Sequence, residues 1–420
     1  MSYFTLVAGA EQVASALQTV LIARALGITD YGVYGLIFGT IGLAASVASL
    51  QMGLTGTVFV SRYRETDKAK AALIIALLTS FSLGIGVLFV VCTIPFAGQI
   101  ARLLLGSAGS EMEIVLGSII VAFAIINGVQ DGVIQGFEDF RAVALTRLLA
   151  TITMLALIHP ATVKFGLLGT MAVAILGQVI KFMLLVAKLK QLVRQHNFPP
   201  RGIGMRLRDV ILGFSLPAML ASLLTGLVSW YGTFLLTRQS NGFDSLAVVN
   251  MGLQWRAPIF FLTSSISSVA IPAISRHFQA DNHGAGRALH RKVLLINGGF
   301  GLLACFVLIA LSSLILPLYG PGFLGGALVF SLIVASAVPQ VIAGVYLQNF
   351  VAKGRMWQQL LWYVWLVMPM GIGLVLLVPQ WYGEGFAWAN LTAWTIFAVT
   401  LALNAEAPFI SRKIIPKDRL

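Results

Sequence analysis

Most of the chain is built from long, predominantly apolar runs separated by short polar stretches, with neither strict alternation nor a single apolar stripe. About 20 apolar residues are what an α-helix needs to cross a hydrocarbon core of about 30 Å. Cutting the chain at its polar stretches predicts twelve such helices, near residues 3–23, 33–60, 72–97, 114–136, 142–159, 165–187, 210–236, 246–273, 293–318, 326–351, 357–379 and 386–408. Membrane β-strands alternate in segments of about ten residues, so runs of this length predict an all-α polytopic membrane protein rather than a barrel. The opening, MSYFTLVAGAEQ, has no basic leader and no cleavage site, and reads as the first span rather than a signal peptide. The missing basic leader also leaves a start further upstream open.

Composition sharpens this picture. Apolar residues make up 58% of the chain, charged residues 10%, and mean hydropathy is +0.91, against about 25% charged residues in an ordinary soluble domain. So few charges cannot cover a water-exposed globule. The net charge of +13 raises the question of nucleic acid. The distribution of Lys and Arg answers it: with the N-terminus inside, 22 of the 28 fall on the cytoplasmic side, four (Arg24, Arg102, Lys164, Arg238) fall outside, and Lys181 and Arg256 lie within spans. That asymmetry is the positive-inside pattern of a membrane protein, and it places both termini in the cytoplasm. Cys92 and Cys305 both sit in spans and the five histidines lie in loops or near span ends, so the residues support neither a disulfide framework nor a metal centre, and no cofactor motif is present.

The chain also repeats itself. An offset of 214 residues relates Arg24 to Arg238, Asp30 to Asp244, and Ser61-Arg62 to Ser275-Arg276; Gln135-Gly136-Phe137 matches Gln348-Asn349-Phe350 one residue out of step. Each half then carries six spans. An even number leaves the halves in the same orientation, a parallel repeat in which transporters hold substrate between two lobes. The expected organisation is a six-helix lobe over 1–187, a cytoplasmic linker over 188–209 around Pro199-Pro200, a second six-helix lobe over 210–408, and a cytoplasmic tail over 409–420.

Residues 20–70 carry a local pattern: Leu26-Gly27, Asp30, Tyr31-Gly32, then Gly39, Gly42 and Gly53 in a glycine-rich second span, then a basic loop from Arg62 to Lys70. This segment resembles the opening of the bacterial polysaccharide transporter family, the O-antigen and capsule flippases, whose superfamily also holds the multidrug and toxin extruders and the lipid II flippases. The resemblance implies a carrier in the bacterial inner membrane that moves undecaprenyl-diphosphate-linked oligosaccharide from the cytoplasmic to the periplasmic leaflet by alternating access of a cationic cavity, working beside a glycan polymerase or other assembly proteins. One departure stands out. Where such proteins often carry an acid in the seventh span, this chain has Gly232.

Several polar residues inside the spans are candidates for the work. Arg256 falls near the middle of the eighth span, where an arginine costs roughly 2.5 to 3.5 kcal/mol to insert and is retained mainly for a partner. A diphosphate suits guanidinium geometry. The alternatives are an intramembrane acid or snorkelling to an interface. Pro258 is expected to break that helix, and Thr263 and Ser267, at i+7 and i+11, extend a polar stripe from Arg256. Asn127, Asp131 and Gln135 share one face of the fourth span, either lining a sugar-binding entrance or bonding a neighbouring helix. Glu11 in the first span is the candidate coupling site for H⁺ or Na⁺, with a structural hydrogen bond as its other reading. Arg62 and Arg64 are placed to recruit anionic lipid or the substrate headgroup, or simply to set topology. Trp381, Tyr382 and Trp388 fit an interfacial aromatic belt. The triplet Asn390-Leu391-Thr392 lies within a span and is set aside as a glycosylation site.

Two other classes stay in view. A cation-coupled multidrug exporter would want acids rather than arginines in its cavity, and a membrane enzyme would want a large outer loop or a convergent His and acid cluster. The residues favour neither.

Overall fold

The structure, a computed structural model, describes residues 2–106, 110–196, 216–279, 283–352 and 356–406, with side chains described except at 2–6, 8, 217–218, 264–289, 349, 351–352, 356 and 405–406. Among these residues it is helical throughout. The first half holds α1 (Ser2–Leu26), α2 (Ile28–Ala48), α3 (Met52–Tyr63), α4 (Lys68–Thr93), α5 (Ala97–Leu105), α6 (Glu111–Gly136) and α7 (Phe140–Gln195). The second holds α8 (Leu216–Thr237), α9 (Gly242–Gln279), α10 (His283–Ala310), α11 (Ser312–Tyr319), α12 (Ala327–Ala335), α13 (Ala337–Ala352) and α14 (Met356–Glu406). The twelve predicted spans fall in these helices and the short turns that join them wherever they are described; residues 210–215 of the seventh and 407–408 of the twelfth lie outside the described residues. The expected tail, residues 409–420, and the part of the linker from 197 to 209 lie outside the described residues; α7 itself runs on through Lys188 to Gln195.

Two pairs of spans are joined so tightly that α7 and α14 each contain two passes. A straight helix would hold residues eight apart about 12 Å from one another at 1.5 Å per residue. Yet the Thr162 and Thr170 hydroxyls lie 2.9 Å apart. The chain therefore reverses between them, at Gly166 with φ 58°. Tyr382, with φ 48°, makes the matching reversal in α14.

These reversals belong to a wider set of repeated backbone features. Gly27 (φ 79°) and Asn241 (φ 53°) directly precede α2 and α9, and Gly106 (φ 71°) and Gly320 (φ 122°) close α5 and α11. Both pairs are 214 residues apart, the offset already seen in the side chains. Helix packing follows suit: α1 lies along α7 as α8 lies along α14, and α6 packs on α4 and α7 as α13 packs on α10 and α14. The parallel repeat is thus carried by the backbone.

The halves differ at one place. The predicted second span is two helices, α2 and α3, because Leu50 (φ 47°) and Gln51 (φ 54°) adopt the left-handed conformation that costs an L-residue roughly 1–2 kcal/mol. Local bonds re-satisfy the freed backbone: Leu50 N–H donates to Val47 O and Met52 N–H to Ser49 O. In the second half α9 is continuous through Pro258. The break expected at that proline does not occur, since a proline inside a membrane helix removes one donor that neighbouring groups can make good.

Within the first lobe, α6 carries Gly128, Gly132 and Gly136 at four-residue spacing, and this face meets Gly53 and Gly56 of α3. A Cβ on Gly132 would run into the Gly53 backbone. The Thr57 hydroxyl uses the close approach to donate to Gly132 O at 2.9 Å.

The apolar core is distributed unevenly between the lobes. One large cluster joins Ile22, Tyr31, Leu36 and Leu104 of the first half to Leu246, Val249, Tyr319, Phe323 and Phe330 of the second. A separate cluster around Met52, Val60, Ile74, Val129, Ile134 and Leu185 contains first-half residues alone. The lobes are therefore fused at the end where α1 turns into α2. The inter-lobe hydrogen bonds from α1 gather toward that end too, from Ser15–Gln254 at 3.2 Å through Thr19–Tyr319 at 3.3 Å to Arg24–Leu318 at 2.7 Å. Along the other seam α2 follows α8, with Trp230 donating to Thr40 at 2.8 Å and Gln51 to Ser222 at 2.9 Å.

Candidate functional site

Each lobe buries a polar centre at membrane depth. In the first lobe the centre is Asp131. Its Oδ2 accepts from Arg147 Nη2 at 2.8 Å, from Arg147 Nε at 3.2 Å and from Lys181 Nζ at 2.9 Å. The carboxylate is 5% exposed, Lys181 19% and Arg147 40%, so one buried anion holds two cations of which the outer one faces open space. Asp131 Oδ1 is buried with no partner. Glu11, half-buried on α1, lies close enough to Arg147 to interact with it electrostatically. The four side chains together are neutral, while the Asp131 triad alone carries one net positive charge.

The helical spacing that put Asn127 and Asp131 on one face is realised. Asn127 Nδ2 donates to Gln178 Oε1 at 2.8 Å and Asp131 reaches Lys181, so both residues look onto the second limb of α7. Asn127 is buried and Gln135 half-buried at the end of the same helix. Arg147 was expected on the cytoplasmic side and Lys181 was left without a place; both belong to this centre. A cation stranded in the sixth span and an acid in the fourth were the signal that could have paired them, because an ionised group at membrane depth needs a counter-charge.

The second lobe's centre is Arg256. Its Nη1 donates to Ser336 Oγ at 2.8 Å and to Asn390 Oδ1 at 3.0 Å, its guanidinium lies 5.4 Å from the centre of the Phe260 ring, and its Nε is buried without a partner. Among the described residues it meets no acid and it does not snorkel. Its partners are neutral, so the positive charge is held by hydrogen bonds and a ring face without being cancelled. Asn390, set aside in the sequence as a glycosylation triplet, is buried here as a charge partner. Thr263 is buried and donates to Ile259 O at 2.9 Å on its own helix. Ser267 lies in α9 with its side chain outside the described residues.

Gly232 packs against the Leu374 and Phe386 side chains of α14, so a larger residue there requires those two side chains to shift. The basic loop is divided in its roles. Arg62 is exposed beside the Phe59 ring, 5.6 Å from its centre, whereas Arg64 is engaged by Glu138 at 2.9 Å and by Gly136 O at 3.3 Å, at the carbonyl end of α6. Among the described residues no group of His, Cys, Asp and Glu has the arrangement of a metal site.

Two repeated six-span lobes, fused at one end and each with a buried polar centre, make a polytopic all-α membrane protein, and solved membrane transporters share this fold. An inward-facing multidrug resistance MATE family transporter matches with a TM-score of 0.77, 16% identity, and coverage of 94% of this chain and 93% of that one. A transporter from Pyrococcus furiosus, described as having a binding pocket of reversed polarity, matches with a TM-score of 0.72 at 16% identity over 96% of this chain and 94% of that one. The outward-facing MATE transporter gives 0.70 at 16% identity, covering 95% and 93%. The chain belongs to the family described as Polysaccharide biosynthesis protein, whose model matches residues 1–278. It is 24% identical over 169 residues to the EPS I polysaccharide export inner membrane protein EpsE of Ralstonia nicotianae, and 27% identical over 146 residues to EpsE of Ralstonia solanacearum. These alignments span 39% and 34% of this chain, and 38% and 33% of those relatives.

Proposed function

We propose that this protein is an inner-membrane flippase that carries an undecaprenyl-diphosphate-linked oligosaccharide from the cytoplasmic to the periplasmic leaflet, between its two lobes. Family membership and the likeness to polysaccharide export proteins support a polysaccharide cargo. The observation that carries the reading further is Arg256, a cation inside the membrane whose bonded partners, Ser336 and Asn390, are both neutral. An uncancelled charge at that depth is costly, and an arriving diphosphate supplies the missing anion in a geometry that guanidinium matches. Asn127, Gln135, Thr263 and Ser267 are the accompanying polar candidates for the sugar and headgroup, Arg147 and Lys181 add positive charge in the other lobe, and Arg62 gathers anionic headgroups at the entrance. Placing both termini in the cytoplasm, as the Lys and Arg distribution favours, turns the fused end outward and the separate first-lobe core inward. Glu11 beside Arg147 is the proposed site for a coupling H⁺ or Na⁺, and glycan polymerase or other assembly proteins are the proposed neighbours in the membrane.

A multidrug exporter on this fold would need a free carboxylate for a cationic drug, and Asp131 is already neutralised by two cations. The test is export of lipid-linked glycan in cells depleted of this protein and supplied with variants at normal expression. Arg256→Ala is expected to lower surface glycan at least tenfold while the cytoplasmic-leaflet intermediate accumulates, and Arg256→Lys to restore part of it. Untouched export in Arg256→Ala would remove the headgroup role, and unchanged glycan with altered drug tolerance on depletion would replace the flippase reading.

A further inference from the structure

At the fused end of the molecule two contacts are images of each other under the internal repeat. Arg24, at the last turn of α1, donates from Nε to Leu318 O in the last turn of α11, at 2.7 Å. Arg238, directly after α8, donates from Nη2 to Leu103 O in the last turn of α5. The arginines are 214 residues apart and the accepting leucines 215. Each arginine leaves its own lobe and closes on the short helix of the other, so the pair forms a reciprocal clasp.

The chemistry of the acceptors suits the task. The last carbonyls of a helix have no partner within it and carry its negative end, which favours a cation. Both arginines are exposed and therefore keep water as an alternative partner, which lets the contacts release. Arg238 also lies 4.7 Å from the centre of the Phe234 ring, which aims it across the seam. Between the two clasps the lobes meet at closest range: Gly32 packs on the backbone of Phe243, Thr29 donates to Asp244 Oδ1 at 2.6 Å, and Tyr31 meets the rings of Tyr319 and Phe323.

We propose that Arg24 and Arg238 are a two-fold-related latch that holds this end of the transporter shut, and that opening the end requires both clasps to release. The proposal does not rest on the nature of the cargo. Because the two contacts are equivalent and lie on either side of one seam, each contributes about equally, and their losses multiply.

The test uses the full chain in lipid, with Cys92 and Cys305 replaced and spin labels on cysteines at Leu103 of the first lobe and Ser240 of the second. The parent is expected to show one short distance. Arg24→Gln and Arg238→Gln are each expected to raise the open, long-distance population roughly five- to tenfold, and the double variant to raise it by the product. Arg24→Lys with Arg238→Lys, which keeps the donors, should recover the short distance if the double glutamine variant folds poorly. In a separate chain, Thr29→Cys with Asp244→Cys joined by a short bis-methanethiosulfonate, which links the two sulfurs through disulfides, should stop turnover, and reductant should restore it. A distance distribution unchanged in the double glutamine variant, or turnover undiminished by the crosslink, would overturn the latch. Distances that behave as predicted, in cells whose glycan export is unchanged when this protein is depleted, would count against the flippase reading alone.

Discussion

The most demanding consequence of the structure concerns Asp131. Replacing it with asparagine leaves the shape of α6 intact but strands Lys181 and Arg147, which share a single carboxylate oxygen. Breaking a buried ion pair costs about 3–5 kcal/mol, whereas a solvent-exposed pair contributes about 0–1 kcal/mol. Lys181 is 19% exposed and belongs near the first case; Arg147 is 40% exposed, and Glu11 is at hand to take up part of its charge. The loss in Asp131→Asn should therefore come mainly from Lys181 and amount to about 3 kcal/mol. At about 2.1 cal/mol/K of unfolding entropy per residue, that lowers the melting temperature of a chain of this size by roughly 3 °C. Melting followed by tryptophan fluorescence in mild detergent reads this directly. Adding Lys181→Met to Asp131→Asn removes the stranded cation and should return more than half of the loss, while Lys181→Met alone, which keeps the Asp131–Arg147 pair, should stay close to the parent. If the double variant melts as low as Asp131→Asn, the damage is not electrostatic and the account of this centre is wrong.

Two further outcomes follow from packing and capping. Gly132→Ala places a methyl group against the Gly53 backbone, which cannot yield as a side chain can, so it should destabilise by about 1–3 kcal/mol; Gly128→Ala on the same helix meets open space and should be close to neutral in the same melting assay. Asp139 caps α7 through the Ala142 amide at 3.0 Å and pairs with Lys188 at 2.8 Å. Burial pulls its carboxyl up, but the hydrogen bonds from Lys188 and Ala142 and the charges of Lys188 and Arg141 outweigh it and leave it below the ordinary 3.8. Such a group adds stability above the unfolded-state value and loses it as pH falls through the lowered one. The parent should therefore lose melting temperature in that acid window, and Asp139→Asn should show a smaller loss there, the difference vanishing if Asp139 plays no part.

Much of the plan was legible before any coordinates, for reasons particular residues make plain. Long apolar runs at membrane length leave the backbone no alternative to helix, and the offset linking Arg24 with Arg238 announced a duplicated fold that Gly27 with Asn241 and Gly106 with Gly320 repeat in the backbone. The polar candidates were harder. Asn127 and Asp131 were placed on one face correctly, because helical spacing is a local property, but what that face meets was invisible. The residues that answer it, Gln178 and Lys181, come from a later span folded back at Gly166. Likewise, Arg256 announced itself by its depth in the eighth span, while Ser336 and Asn390 arrive from sequence positions 80 and 134 residues away.

The number of crossings, the helical state, the duplication and the family were all readable along the chain, since each depends on hydrophobic length or on local periodicity. Which lobe end is fused, where the second span breaks, and who neutralises whom in the interior emerged with the packing of distant helices. A left-handed turn at Leu50 and Gln51, which no glycine or proline marks, is stabilised by neighbours, with Gln51 bonded across the seam to Ser222. The charge partners of Asp131 and the neutral company of Arg256 depend on distances between helices far apart in the chain. Hydrophobicity selects the membrane but is indifferent to which helix stands beside which, and that choice is made by small residues, close packing and the few polar groups that must find one another.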